Sequence, residues 1–215
     1  CIPRIRAPGA PVGGPRLVPD CGIRDPKACG WRVAACIASG PSLTAEDCER
    51  VRRWRAAAPQ RAAICTNTTF RLTPWADALW AMDKAWWERY AAEAKANFCG
   101  ELLTLSANPF GIKTARIEHY RNSGGGAVSL AIARGAKRII LLGYDMQKTN
   151  GQSHWHGDHP KGLGSAGKIA EWPSEFERLK RNNPTIEIIN CTRETALTCF
   201  ARLPLEEMLN EPDPA

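Results

Sequence analysis

Between residues 31 and 190 the apolar positions fall into short unbroken runs that alternate with helical patterns. The runs at 33–38, 62–66, 78–82, 101–106, 138–144 and 185–190 are predicted strands, and 44–58, 84–97, 125–135 and 173–182 are predicted helices. Continuous apolar strands separated by helices are typical of a parallel sheet covered on both faces. We therefore predict an α/β, Rossmann-like doubly wound fold with a mostly parallel sheet, whose ligands bind beyond the carboxyl ends of the strands.

The first 30 residues differ from the rest of the chain, because they are rich in Pro, Gly and Arg and show little periodicity. This composition predicts an irregular arm or linker at 1–30 and a single nucleotide-binding domain at 31–215. No apolar run approaches the roughly 18 residues of a membrane span, and the N-terminal residues lack the apolar core of a secretory signal. We expect a cytoplasmic protein without a membrane span.

The chain carries a formal net charge of +7 and nine cysteines. Its basic excess attracts phosphates, whether of a nucleotide or of a nucleic acid bound by the arm, but a solvated helix face and a basic tail explain it equally well. The arginines concerned are Arg4, Arg6, Arg16, Arg24, Arg50, Arg52, Arg53 and Arg55. An odd cysteine count without a C-x-x-C pair predicts buried free thiols in a reducing compartment rather than disulfides.

A glycine turn, ASGPSLTAED at 38–47, joins the first predicted strand to a helix that Thr44 can cap. The free N–H groups and positive dipole end of a helix N-terminus suit a phosphate or a ribose. An ordinary connection between strand and helix is the alternative. The candidate binding residues of this turn are Ser39, Gly40, Pro41 and Ser42.

A second glycine turn, RNSGGG at 121–126, begins a helix that leads into the apolar strand ending at Asp145. Three consecutive glycines cost backbone entropy, so we expect a ligand or another backbone to approach them closely. A flexible turn without a ligand is the alternative. The candidate binding residues here are Asn122, Ser123, Gly124 and Asp145.

Polar residues follow two of the predicted strands: Asn67 follows AAICT and Asp83 follows ALWAM. In a parallel sheet both side chains would lie at the ligand-binding edge, where they could form a hydrogen-bonding floor for a base or a sugar. Alternatively, they cap the next turns.

The segment HWHGDH contains His154, His156, Asp158 and His159. Its H-x-H-x-D-H pattern is the metal signature of metallo-β-lactamases, but that fold needs later histidine ligands and no histidine follows His159. A single local zinc or manganese ion is conceivable. We favour a catalytic lid formed by the loop 146–172, because long loops in compact domains are usually functional and histidine exchanges protons near neutral pH.

The ordered set IASGPSL, TNTTF, AMD, NSGGGAVSLAIARGAKRIILLGYDM and NGQSHW resembles the small bacterial sialyltransferases that use CMP-activated sialic acid. It also resembles their relatives, the 6-hydroxymethylpterin diphosphokinase-like domains of flagellin-glycosylation accessory proteins and phage genomes. The resemblance spans roughly residues 33–200 and implies a phage-type transferase with a nucleotide or nucleotide-sugar donor, an unknown acceptor and no required cofactor.

The resemblance also implies residue roles. Ser39 stands at the nucleotide-contacting turn, Asn67 and Asp83 match ligand-binding asparagines, and Ser123 and Gly124 match the nucleotide-contacting Ser-Gly pair. His154 aligns with a tyrosine that holds the leaving phosphate.

Two departures from the family are clear. Gln147 or Lys148 replaces its other phosphate-binding tyrosine, and the family's catalytic histidine is missing near Gly167 and Lys168. We therefore expect His154, His156 or His159 to act as the base, and Lys148 or His154 to neutralise the leaving phosphate.

Two other functions stay open. A pterin-type pyrophosphokinase would use ATP and Mg²⁺ held by Asp83, Asp145 and Asp158. A catalytically inactive basic module would bind nucleic acid or belong to a virion.

Overall fold

The computed structural model describes residues 30–157, 163 and 169–214. An eight-stranded sheet, parallel throughout, forms the centre of the domain in the order β5-β4-β3-β2-β1-β6-β7-β8. The strands are β1 (Val33–Ile37), β2 (Arg61–Thr66), β3 (Ala78–Trp80), β4 (Glu101–Thr104), β5 (Lys113–Thr114), β6 (Arg138–Leu142), β7 (Glu187–Asn190) and β8 (Ala201–Arg202). The predicted Rossmann-like doubly wound fold is confirmed.

Helices cover both faces of this sheet. They are α1 (Ala45–Ala56), α2 (Lys84–Asn97), α3 (Ser123–Ala133), α4 (Trp172–Asn182) and α5 (Leu205–Asn210), with short 3₁₀ helices at Asn67–Arg71 and Ile169–Glu171. Apolar side chains of α1, α2 and α5 pack on one face, and those of α3 and α4 pack on the other. This double cover explains why β1 is apolar at every position: Val33, Ala35 and Ile37 face one layer while Ala34 and Cys36 face the other.

The chain reverses its direction of travel across the sheet beside β1. From β1 it runs outward through β2, β3 and β4 to β5, and α3 then returns it to β6 on the opposite side of β1. The connections after β1 and β6 therefore diverge to opposite faces of the sheet. A crevice at such a switch point is the usual ligand site of doubly wound sheets.

Helix α3 begins at Ser123, two residues earlier than predicted. The Asn122 side chain accepts the Gly125 N–H at 2.7 Å, so the cap forms before the glycines and places all of them inside the helix. The sequence also did not indicate β5, β8 and α5, which are two, two and six residues long. Two-residue strands carry no apolar periodicity, and α5 is too short for its single apolar i, i+3 pair, Leu205 and Met208, to stand out.

Among the described cysteines, Cys36, Cys48, Cys65, Cys191 and Cys199 are free thiols, and all but Cys199 are buried. Cys99 is disulfide-bonded, so the prediction of free thiols is wrong at this position. In the described part of the chain, no helix is long and apolar enough to cross a membrane. The predicted arm at 1–30 lies outside the described residues except for Gly30.

Candidate functional site

A cleft of about 230 Å³ opens at the carboxyl edge of the sheet, at the switch point between β1 and β6. Nearly all the predicted binding residues line it, although they come from five separate connections. They are Ser39, Gly40, Pro41, Asn67, Asp83, Asn122, Ser123, Gly124, Asp145 and His154. The volume lies below the roughly 300–1,000 Å³ of typical drug-sized pockets, so the cleft would enclose only a small ligand or part of a larger one.

The Gly40 turn is fixed by backbone packing. Gly40 donates its N–H to the Gly143 carbonyl at 2.8 Å, and a Cβ at Gly40 would lie only 2.0 Å from Asp145 Oδ1 and 2.4 Å from the Gly143 oxygen. Glycine is therefore required here even without a ligand. Ser42 does not line the cleft; its N–H donates to Asp145 Oδ2 at 2.9 Å, which ties the turn to the end of β6.

Asp145 is a buried carboxyl group in the wall of the cleft, with 1% of its surface exposed. Its Oδ1 atom has no hydrogen-bond partner among the described residues. Burial raises the pKa of Asp145 above its ordinary value, and the hydrogen bond from Ser42 only partly offsets this effect.

The glycines of α3 make room for aromatic rings. A Cβ at Gly124 would lie 2.9 Å from Tyr144 Cε1, and one at Gly126 would lie 2.3 Å from Trp80 Nε1. The close approach predicted for this glycine run is therefore an approach of the helix to core aromatics. Gly124 still lines the cleft, at the N-terminus of the helix.

Asn67 and Asp83 both face the cleft, as expected from the ends of β2 and β3. Asn67 adopts a left-handed backbone conformation, with φ of 48°, and its Oδ1 accepts a hydrogen bond from Ser123 Oγ at 3.4 Å. Asp83 occupies the N-cap position of α2, but its side chain makes no capping hydrogen bond. The Asp83 side chain therefore does not cap α2.

The first part of the histidine loop packs against the end of β1. Trp155 donates its backbone N–H to the Ser39 carbonyl at 3.1 Å and its indole N–H to Thr69 Oγ1 at 3.3 Å. His154 Nδ1 lies 3.1 Å from Ser39 Oγ. These contacts hold the imidazole of His154 at the cleft.

The other catalytic candidates are placed differently. His156 stacks on His154, with ring centroids 5.2 Å apart and planes 8° apart, but does not line the cleft. Lys148 is exposed and also lies outside the lining. His159 and Asp158 lie outside the described residues. Within the residues that the structure does describe, no group of three or more His, Cys, Asp or Glu side chains could hold a metal ion.

The sequence reasoning missed Arg121, a cation at the mouth of the cleft. Its backbone is left-handed, with φ of 54°, directly before the Asn122 cap. Strained backbone of this kind often marks functional positions. The side chain is 74% exposed and pairs with Glu175 only at 3.8 Å. The sequence signal that could have identified Arg121 is its position directly before the Asn-Ser-Gly turn.

Apolar side chains form the remaining wall of the cleft. Met82, Met146, Ile169 and Trp172 lie there, the last three from the beginning and end of the predicted lid loop. An aromatic and aliphatic wall opposite convergent polar groups is typical of a small-molecule site.

Comparisons with protein-family models, curated proteins and solved structures find no match for this chain. The fold and the site define it as a doubly wound α/β protein with a cleft of mixed polar and apolar lining at the switch point of its sheet.

Proposed function

We propose that this protein is a nucleotide-donor-dependent group transferase of the glycosyltransferase kind, related to the sialyltransferases that its motifs resemble. The supporting observation is the convergence of both glycine turns, the Asn67 and Asp83 floor and His154 on one cleft. A parallel sheet brings the connections after its strands to one edge in any case, so the support lies in the hydrogen-bonding side chains that these connections carry into the cleft. The location at the switch point of a parallel sheet suits that ligand being a nucleotide.

In this proposal the donor phosphate lies at the N-terminus of α3, where the helix dipole favours negative charge. Arg121 adds a full positive charge at the same end of the helix. Together they stabilise the charge that develops on the leaving phosphate, a role that sometimes replaces a metal ion. Arg121 takes over the role that the sequence suggested for Lys148, because Lys148 does not line the cleft.

Hydroxyl groups of the donor sugar or ribose would bind Ser39, Asn67 and Asp83, which also line the cleft. The base or sugar ring would pack against the apolar side chains of the lining, such as Met82 and Trp172. Binding sites commonly combine apolar burial with a few polar groups that fix the orientation of the ligand.

His154 is the proposed general base. When its Nδ1 proton is donated to Ser39 Oγ, Nε2 is the nitrogen that accepts the proton of the acceptor hydroxyl. Imidazole is the side chain best suited to exchange a proton near neutral pH. The transfer then forms a bond between the acceptor oxygen and the donated group, and the nucleotide phosphate leaves toward Arg121.

The direct test is a thermal-shift screen against CMP, UDP, GDP, ADP and their sugars in EDTA, because a ligand that binds the native state raises its Tm. At least one nucleotide should raise Tm, and Arg121→Gln should weaken its binding while Arg89→Gln, an exposed arginine on α2 outside the cleft, should not. Absence of any nucleotide effect would refute the proposal. A strict Mg²⁺ requirement with ATP would instead indicate a pyrophosphokinase, and salt-sensitive DNA binding without nucleotide binding would indicate a nucleic-acid-binding module.

A further inference from the structure

A second cavity, of about 450 Å³, lies beside the carboxyl end of β7. It is formed by the first turns of α1, the segment that follows β7 and the connection from β8 to α5. None of the described residues lines both this cavity and the cleft. The two can therefore hold different ligands.

Three guanidinium groups and two carboxylates line this cavity, which gives it a positive excess. The arginines are Arg50, Arg193 and Arg202, and the acids are Asp47 and Glu206. Guanidinium groups bind carboxylate and phosphate through paired, planar hydrogen bonds, and several of them on one cavity favour an oxyanion.

Of the three arginines that line this cavity, Arg202 is the one without a carboxylate partner among the described residues. Its Nη2 donates to the backbone carbonyls of Thr192 and Arg193, both at 3.0 Å. These two bonds orient the guanidinium, and no carboxylate of the described residues neutralises its charge. An arginine fixed in this way loses little entropy when it binds an anion.

Arg193 is oriented by an ion pair with Asp47. Its guanidinium makes two hydrogen bonds of 2.9 Å to the buried Asp47 carboxylate, while 53% of the arginine side chain stays exposed. Burial alone would raise the pKa of Asp47, but the bonds from Arg193 and Thr44 outweigh burial and lower it. Asp47 is therefore ionised and holds Arg193 in place at neutral pH.

The third arginine has a replaceable partner. Arg50 donates to Glu46 at 2.7 Å and faces a second carboxylate, Glu206, at 3.6 Å, and the Glu206 side chain is 78% exposed. Such long, exposed pairs contribute roughly 0–1 kcal/mol, so an incoming anion can displace Glu206 at little cost.

We propose that this second cavity binds the carboxylate or phosphate group of a small ligand, with Arg202 as its principal recognition residue. The proposal does not depend on the nucleotide cleft. The segment around Thr192 links the two regions, because Tyr144 donates its N–H to Thr192 Oγ1 at 3.0 Å and Ala196 donates its N–H to the Asp145 carbonyl at 2.8 Å. A ligand here would therefore contact the segment that supports the wall of the cleft.

The test is an NMR titration of the ¹⁵N-labelled full chain with inorganic phosphate and, separately, with acetate, at constant ionic strength set by chloride. Saturable shifts are expected at the amides of Thr192, Arg193 and Leu203 with at least one of the two anions. The anion that binds more tightly identifies the chemistry of the natural ligand. The amides of Ser123 and Gly124 lie at the nucleotide cleft and report on that site separately. A failure of anion binding at the second cavity can therefore be told apart from a failure of nucleotide binding at the cleft.

Leu203 gives a matched pair of variants that should fold, because its side chain is 38% exposed at the rim. Leu203→Glu should weaken anion binding about tenfold or more by like-charge repulsion, while Leu203→Gln should keep it. Arg202→Gln should abolish the response, and Arg53→Gln, an exposed arginine of α1 outside the cavity, should leave it unchanged. Absence of saturable shifts at this cavity, or equal affinity in the two Leu203 variants, would overturn the proposal.

Discussion

Asp145→Asn should make the protein more stable at neutral and alkaline pH. The wild-type carboxyl group is 1% exposed, and its Oδ1 finds no hydrogen-bond partner among the described residues. A buried acceptor without a partner costs about 1–3 kcal/mol, and more when it is charged. Asparagine keeps an oxygen for the Ser42 N–H and places its amide nitrogen where Oδ1 has no partner. It therefore removes the part of the cost that comes from the buried charge.

The sign of the pH dependence follows from the direction of the pKa shift. Because burial raises the pKa of Asp145 in the folded state, the native protein holds this proton more tightly than the unfolded chain does. The resulting stability is fully present below the unfolded pKa of about 3.9, and it is lost as the pH rises through the folded pKa. Asparagine does not titrate, so the variant should gain stability relative to wild type over that interval.

Urea unfolding of both proteins at several values between pH 4 and pH 8 measures this difference directly. The free energy of unfolding of the variant should rise by about 1–3 kcal/mol relative to wild type across the series, or about 2–4 °C in Tm per kcal/mol for a chain of this size. Other titrating groups cancel in the comparison. A difference that stays flat or changes sign would refute the assignment of a buried, costly carboxylate.

Three further predictions follow from individual contacts. His154→Ala should lower turnover by about 100- to 10,000-fold, the usual range for lost acid–base catalysis, with a smaller change in nucleotide affinity measured by calorimetry. Gly126→Ala should destabilise the fold by about 1–3 kcal/mol in urea unfolding, because overpacking would place the new Cβ 2.3 Å from Trp80 Nε1. Asp47→Asn should cost about 1–2 kcal/mol at pH 7 through the loss of charged hydrogen bonds to Arg193, and the cost should fade as the pH drops through the lowered pKa of Asp47.

Two of these predictions have a control in the same chain. His119→Ala changes an exposed histidine outside the cleft and should leave turnover unchanged. Gly30→Ala adds a methyl group with nothing within 4 Å and should leave stability unchanged. Equal effects of variant and control, or an Asp47→Asn cost that grows toward acid pH, would contradict the respective argument.

The sheet was predictable because β1, β2, β6 and β7 are apolar on both sides, which is a signal that few other structures produce. The positions of Asn67 and Asp83 followed from the same signal, since parallel strands end at one edge. The edge strands escaped prediction because two-residue strands have no period to detect. The disulfide at Cys99 escaped for a different reason: pairing depends on which cysteines meet in space.

The glycine turns show that a local sequence motif does not by itself reveal why a glycine is needed. The sequence alone could not distinguish a glycine that admits a ligand from one that admits another part of the protein. At Gly40 the space belongs to Asp145 and the Gly143 carbonyl, and at Gly126 it belongs to Trp80. Bulky substitution of Gly40 would therefore disturb the fold before it reported on any nucleotide. Arg121 lines the cleft and is largely exposed, so changes there test ligand binding without repacking the core.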